Sequence, residues 1–211
     1  LDHDKLLTIL YHLGYPTDGI EVVKQLYTGA STVIRTPVGS TCPIPIDRGT
    51  IQGDSLSPFL FINYLEPLLR WLRVGARGYT PGLLKQEGRV TPERDQIADI
   101  TYADDLNLLT NEASRLQLQA SKVTKYSDWA HLVPNATKTV LTGMMHASYK
   151  KDPGRLDTLQ RALKKVELAG QRPAIHPPDK PFRYLGVMMT MTLSWTPQYQ
   201  AAYANLRDSL K

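Results

Sequence analysis

The 211-residue chain has one cysteine, Cys42, so no disulfide can form within it. Its five histidines have neither the spacing nor the cysteine company of a zinc site. No apolar run approaches the roughly 20 residues that span a bilayer, and the first residues lack the blocks of a signal peptide. Charged residues make up only 21% of the chain and hydrophobic ones 42%, a balance that excludes disorder. Internal repeats and low-complexity runs are also missing. The opening Leu1-Asp2-His3 has no initiating methionine, and the tail stops without a capping residue, so the expectation is a piece of a longer protein. What remains is enough apolar surface for one domain, or a large domain with part of another. A formal charge of +5 fits a polyanionic partner such as nucleic acid.

Asp4 is placed to cap a first helix bearing Leu6, Leu7, Leu10 and Leu13, which Gly14 and Pro16 end. A second helix starts near Asp18 and stops at Gly29. Ser31 to Arg35 and Thr41 to Ile46 alternate about Pro37, Gly39 and Ser40, predicting a hairpin. A loop with two glycines, Arg48 to Pro58, leads into an apolar helix from Phe59 to Leu72, with Ser57 as cap and Pro58 in the first helical position. Pro67 within it predicts a kink or break near Glu66.

Glycine, proline and charge from Arg73 to Asp95 predict a loop or weakly paired excursion. Leu116, Ala120, Val123, Ser127 and Ala130 share a helical face, broadened by Tyr126 and Trp129. Val133-Pro134-Asn135 turns the chain towards a β-prone run from Thr139 to Leu141. A basic helix, from Leu156 to Val166 with Arg155 at its edge, carries Arg161, Lys164 and Lys165; it either follows a duplex backbone or is simply solvated. The prolines at 173, 177, 178 and 181 predict a surface linker. A strand region from Phe182 to Met191 follows, with a bulge or a close backbone approach at Gly186, and the tail from Pro197 is helical. The pairs Met144-Met145 and Met188-Met189 read as core filling.

At the centre stands Tyr102-Ala103-Asp104-Asp105, between Ile97, Ile100 on one side and Leu106, Leu108, Leu109 on the other. Two apolar runs about a short polar pair predict a β-hairpin with the carboxylates at or beside its tip. Carboxylates about 4 Å apart repel by about 4 kcal/mol at an effective dielectric of about 20, so a site that keeps both ionised needs a cation. Magnesium suits hard oxygen ligands shared with substrate phosphates. Two solvated turn residues are the other reading, since Asp is common in hairpin loops.

The order of motifs is more informative than any one of them. Arg48 to Pro58, then Tyr102 to Asp105, then Asn135 to Thr139, then Tyr184-Leu185-Gly186 resembles motifs B, C, D and E of the reverse transcriptase palm. Asp54 with Ser55-Leu56-Ser57-Pro58 resembles the non-LTR retrotransposon branch more than group II intron or retron enzymes. The resemblance implies an α+β fold: a right-hand polymerase palm with an RNA-recognition-like (ferredoxin-like) antiparallel sheet flanked by helices. Residues 1–47 would join fingers and palm, 48–195 form the palm, and 196–211 begin the thumb.

The resemblance further implies RNA-templated DNA synthesis by two-metal nucleotidyl transfer. Asp104 would be the principal ligand of two Mg2+ ions, for which Mn2+ can substitute, with Asp105 assisting. Tyr102 would sit by the primer terminus, or else be a packed strand aromatic. Gln52 and Gly53 would lie near the nascent base pair and template, and Arg48 would meet a phosphate. Lys138 would be the general acid for pyrophosphate, and Tyr184, Leu185 and Gly186 the primer grip. For each, ordinary loop, surface or strand roles are the alternative, and Asp54 needs to do no more than cap its helix. The implied partners are an RNA template, a DNA primer and dNTPs, in the nucleus or cytoplasm.

One departure stands out. The family's motif A aspartate falls just upstream of Asp2-His3-Asp4-Lys5-Leu6, and Asp2 is expected to cap a helix and not to bind metal. The chain alone, with two of three carboxylates, is expected to be inactive. Two other readings remain open: a catalytically dead nucleic-acid-binding remnant of a retroelement, and an RNA-templated RNA polymerase, against which Ala103 stands where those enzymes usually have glycine.

Overall fold

The computed structural model describes residues 1–51, 53–75, 78–80, 96–143 and 153–209, with backbone alone at 153–156. Gln52, Met144-Met145, the Arg155 side chain and most of the expected 73–95 loop lie outside the described residues. The chain forms two compact units. One comprises Leu1–Gly75, Thr101–Leu106 and Lys125–Val133; the other comprises Ala76–Ile100, Asn107–Thr124 and Pro134–Lys211.

In the first unit, α1 (His3–His12) packs on both α2 (Thr17–Tyr27) and α3 (Leu56–Arg73). Leu6, Ile9 and Leu10 of α1 are buried, as are Leu60, Tyr64, Leu65, Leu68, Leu69 and Leu72 of α3; Phe59 and Ile62, expected to be buried with the rest of the apolar run, lie off this face and are exposed. Between α2 and α3 runs a two-stranded ribbon. Its outer part pairs β2 (Arg35–Thr36) with β3 (Gly39–Ser40), and its inner part pairs β1 (Ser31–Thr32) with β4 (Ile44–Pro45). All eight of these strand residues are exposed.

The cap of α1 is Asp2, whose carboxylate accepts from the Lys5 amide at 3.0 Å. Of the two aspartates expected to cap a helix, Asp2 does so, and Asp4 lies inside the first turn. Asp2 is the better choice because its extended backbone turns its carboxylate back onto the free amides. Tyr64 ties this start to the core. Its buried hydroxyl accepts from the Asp2 amide at 3.2 Å and donates to the Ala130 carbonyl at 2.5 Å, while the Tyr126 hydroxyl donates to the Tyr64 carbonyl.

Helix α3 likewise begins two residues before the expected start, with Ser55 as the capping residue. Ser57 is inside the helix and donates to the Ile51 carbonyl at 2.6 Å, so it folds the preceding loop back onto the helix start. Pro58 still costs little there, since first-turn amides have no intrahelical acceptor. Pro67 does not break the helix, which is continuous to Arg73. Losing one bond costs about 3 kcal/mol, whereas each buried leucine contributes about 1.5–3 kcal/mol, and five leucines of α3 are buried.

The second unit is organised on α4 (Ala113–Trp129), whose first three turns belong to it. The β5 (Asp99–Tyr102) and β6 (Asp105–Leu108) hairpin precedes this helix. Tyr79 bridges to Ile97 just before β5, so a short part of the expected loop is paired. On α4, Gln117 forms a two-way clasp with the backbone of Glu167, and Thr124 accepts from the Ala169 amide at 3.0 Å. These bonds hold the turn that follows α5 (Pro153–Leu163).

The proline-rich stretch is not a plain linker. Pro173 is buried, and β8 (Ala174–Ile175) pairs in parallel with β7 (Val140–Leu141). A short parallel pair tolerates flanking prolines because Pro173 and Pro177 lie just outside the paired residues. The last strand region is also a hairpin, β9 (Phe182–Tyr184) and β10 (Val187–Met189), turned by Leu185 and Gly186 at φ 48° and 83°. Two successive positive φ values match the I′ turn that suits strand twist, which replaces the expected bulge. Helix α6 (Thr196–Ser209) packs on β10, where the Gln198 side-chain carboxamide oxygen accepts from the Met188 amide at 2.7 Å. The fold is thus mixed α and β, with its described strands hydrogen-bonded two by two.

Candidate active site

The hairpin tip is a two-residue turn made of Ala103 and Asp104. Such turns need positive φ to follow the twist of their strands, and Ala103 adopts φ 50°. For a residue with a Cβ that conformation costs about 1–2 kcal/mol. The return is positional: Asp104 stands in the turn itself and Asp105 opens β6, so successive carboxylates are presented at the tip.

Both aspartates are exposed, and neither side chain has a hydrogen bond or ion pair among the described residues. The described residues contain no cluster of three or more metal-ligating side chains. Two unengaged carboxylates fit Mg2+, which commonly takes one or two protein carboxylates and completes its shell with water and substrate phosphate. Tyr102 ends β5 and is 65% exposed, so it is not a packed strand aromatic.

The glycine loop lies against the start of α1. Arg48 forms a backbone bridge with Asp2, the Gly49 amide donates to the Leu1 carbonyl at 2.7 Å, and His3 Nε2 lies 3.0 Å from the Gly49 carbonyl. The His3 ring also stacks on Tyr27 with centroids 4.4 Å apart. The Arg48 side chain is exposed. Gly53 has φ 88°, which favours glycine, and no atom would approach an added Cβ within 4 Å. Asp54 accepts from the Leu56 amide at 3.2 Å, the capping contact expected of it.

Lys138 is held by its neighbour's side chain. The Asn135 carboxamide oxygen accepts from the Lys138 amide at 3.1 Å and from the Thr137 hydroxyl at 2.7 Å, an Asx-type turn that leaves Lys138 exposed ahead of β7. Tyr184 ends β9, and Leu185 and Gly186 form the turn described above. Tyr102, Asp104, Asp105, Arg48 and Gly53 therefore fall in one unit, and Lys138 with Tyr184, Leu185 and Gly186 in the other.

Charge at the α1 start is strongly organised. The Lys5 amide, and then the His131 imidazole, hold the Asp2 carboxyl below its usual range. Burial pushes the Tyr64 and Tyr126 phenols up, consistent with neutral hydroxyls that donate to carbonyls.

Sequence reading passes over two residues here. Ala103 is missed because its conformation is visible only in the folded turn. Gln119 is missed because it interrupts the apolar face of α4; a polar residue beside Ala120 on that face is the signal that could have found it.

Comparison with known proteins agrees with the motif order. The family model described as reverse transcriptase (RNA-dependent DNA polymerase) matches residues 1–189. The chain is 32% identical over 141 residues to the Retrovirus-related Pol polyprotein from type-1 retrotransposable element R2 of Popillia japonica, which covers 66% of this chain and 18% of that protein. It is 27% identical over 194 residues to the corresponding polyprotein of the type-2 retrotransposable element R2DM of Drosophila melanogaster, covering 91% of this chain and 16% of that protein. The chain thus spans less than a fifth of the length of either relative. The extent of the family match and the motifs it contains settle one point: the chain belongs to the reverse transcriptase family of RNA-dependent DNA polymerases.

Proposed function

We propose that this chain is the palm-centred part of an enzyme that copies RNA into DNA for a non-LTR retrotransposon of the R2 kind. The observation that carries the reading is the pair Asp104 and Asp105, adjacent, exposed and unengaged among the described residues, on a tight turn in a chain of this family. Residues 48–195 serve as the palm, built on an RNA-recognition-like plan, with 1–47 leading from the fingers and 196–211 opening the thumb.

Asp104 is the principal ligand of two Mg2+ ions, or Mn2+ in their place, and Asp105 assists. Metal held there would supply activation of the primer 3′-hydroxyl and offset charge on the departing pyrophosphate. Tyr102 supports the primer terminus, and Gln52 and Gly53 border the nascent pair. Arg48 meets a backbone phosphate, and Lys138 delivers a proton to the leaving group. Tyr184, Leu185 and Gly186 hold the primer strand through their backbone. The substrates are an RNA template, a DNA primer and dNTPs, and the work is done in the nucleus or cytoplasm.

The test is primer extension on an RNA template by the protein expressed within its complete reading frame. Asp104→Asn reduces extension to background while primer–template binding persists. Extension by that variant at the wild-type rate overturns the assignment.

A further inference from the structure

The turn that presents the carboxylates is held in a conformation its own residues disfavour, since Ala103 carries a Cβ at φ 50°. Strain of this kind persists only where the surroundings over-determine it. A hairpin free at its open end would relieve the turn by slipping register, and a slip of one residue sends every side chain to the opposite face. Asp104 and Asp105 would then no longer occupy the turn and the first strand position. The question is what holds the register.

The open end of the hairpin is where Ala98 precedes β5 and Leu109 follows β6, with the Leu109 amide donating to the Ala98 carbonyl at 2.9 Å. Gln119 of α4 is 3% exposed. Its carboxamide nitrogen lies 3.1 Å from the Ala98 carbonyl and 3.3 Å from the Leu109 carbonyl. One amide group thus donates to the residue just before β5 and to the residue just after β6. Reversing the carboxamide would set its oxygen against two carbonyl oxygens, so the donors can face only this way. Along the hairpin itself Asn107 donates to the Ile100 carbonyl at 3.3 Å, and Asp99 is the buried strand residue.

We propose that Gln119 is a positioning residue for polymerisation: its two donated bonds lock the register of the β5–β6 hairpin and so keep Asp104 and Asp105 in the turn geometry that binds metal. It touches neither substrate nor metal. The inference rests on the polymerase reading above.

The experiment is Mg2+-dependent primer extension by the protein in its complete reading frame. Gln119→Met keeps the length of the side chain and removes both donors. Its half-saturating Mg2+ concentration rises about tenfold, the lower range for groups that orient metal ligands, with primer–template affinity unchanged. Adding Ala103→Gly to Gln119→Met lowers the Mg2+ requirement again, because glycine takes positive φ without strain. Loss of packing alone would not be rescued in that way. A folded Gln119→Met protein with wild-type Mg2+ dependence overturns the inference, and so does failure of Ala103→Gly to restore it. Should Gln119→Met not fold, the unsubstituted protein decides: slow solvent exchange of the Gln119 side-chain amide protons supports the lock, and exchange at the rate of an exposed glutamine overturns it. Activity of Asp104→Asn in the same assay would defeat the polymerase reading itself; an inactive Asp104→Asn beside an unaffected Gln119→Met defeats only this inference.

Discussion

The His131 imidazole Nδ1 lies 2.8 Å from the Asp2 carboxylate, joining the residue that caps α1 to the turn that ends α4. Asp2 therefore has two partners, the Lys5 amide and His131, and both favour its ionised form. A carboxyl held lower in the folded than in the unfolded state contributes stability above its unfolded pKa, about 3.9 for Asp, and loses it as pH falls through the folded value. Asp2→Ala accordingly costs about 1 kcal/mol near pH 7, the usual worth of an N-cap. In urea titrations the gap between wild type and variant narrows below about pH 4. A gap of the same size at acid pH would mean that the carboxylate charge contributes nothing.

Tyr64 is fully buried, and its hydroxyl serves two backbone groups, accepting from Asp2 and donating to Ala130. Tyr64→Phe leaves the ring packing intact and strands both of those groups, which costs about 1–3 kcal/mol. The denaturation midpoint should fall while the slope with denaturant stays the same. An unchanged midpoint would show that water reaches these groups.

Gly78 and Gly143 predict opposite outcomes for the same substitution. A Cβ on Gly78 would lie 2.5 Å from the Ile97 carbonyl carbon and oxygen and 2.6 Å from the Ala98 amide nitrogen. These are backbone atoms leading into β5, so Gly78→Ala destabilises by about 1–3 kcal/mol as overpacking does. On Gly143 the nearest atom is the end of the Leu159 side chain at 3.2 Å, which can rotate away. Gly143→Ala is therefore tolerated in thermal unfolding. The reverse order of the two midpoints would contradict the packing.

Lys138→Ala tests the proposed proton donor. Its side chain is exposed on an Asx-type turn, so removal should leave the fold unaltered. If Lys138 delivers the proton, single-turnover incorporation slows by about 10²-fold, the lower range for general acid catalysis, and primer–template affinity is unaffected. A weakened affinity with an unchanged rate would make it a phosphate-binding lysine instead.

Much of the helical architecture was legible in the residues, because period and punctuation are local. The faces of α1, α3 and α4 follow from apolar spacing, and Gly14 and Gly29 stand just beyond α1 and α2 with positive φ, as their places at helix ends require. The errors share a cause. Pro67 and the Pro173 to Pro181 stretch were read by local propensity, which burial against other elements overrides. The bulge expected at Gly186 became a turn because a paired strand on each side is a tertiary fact.

The sequence by itself determined the chemistry on offer: which carboxylates stand together, that they sit between two strand-forming runs, and in which order the motifs come. That information survives in one dimension because a turn and its flanking strands are contiguous. Only the tertiary structure decided that Ala103 takes a strained conformation, that Tyr64 joins Asp2 to Ala130, and that Gln119 ties Ala98 to Leu109. Those outcomes depend on which distant backbone groups are left needing a partner once the chain has packed, and no local pattern encodes that.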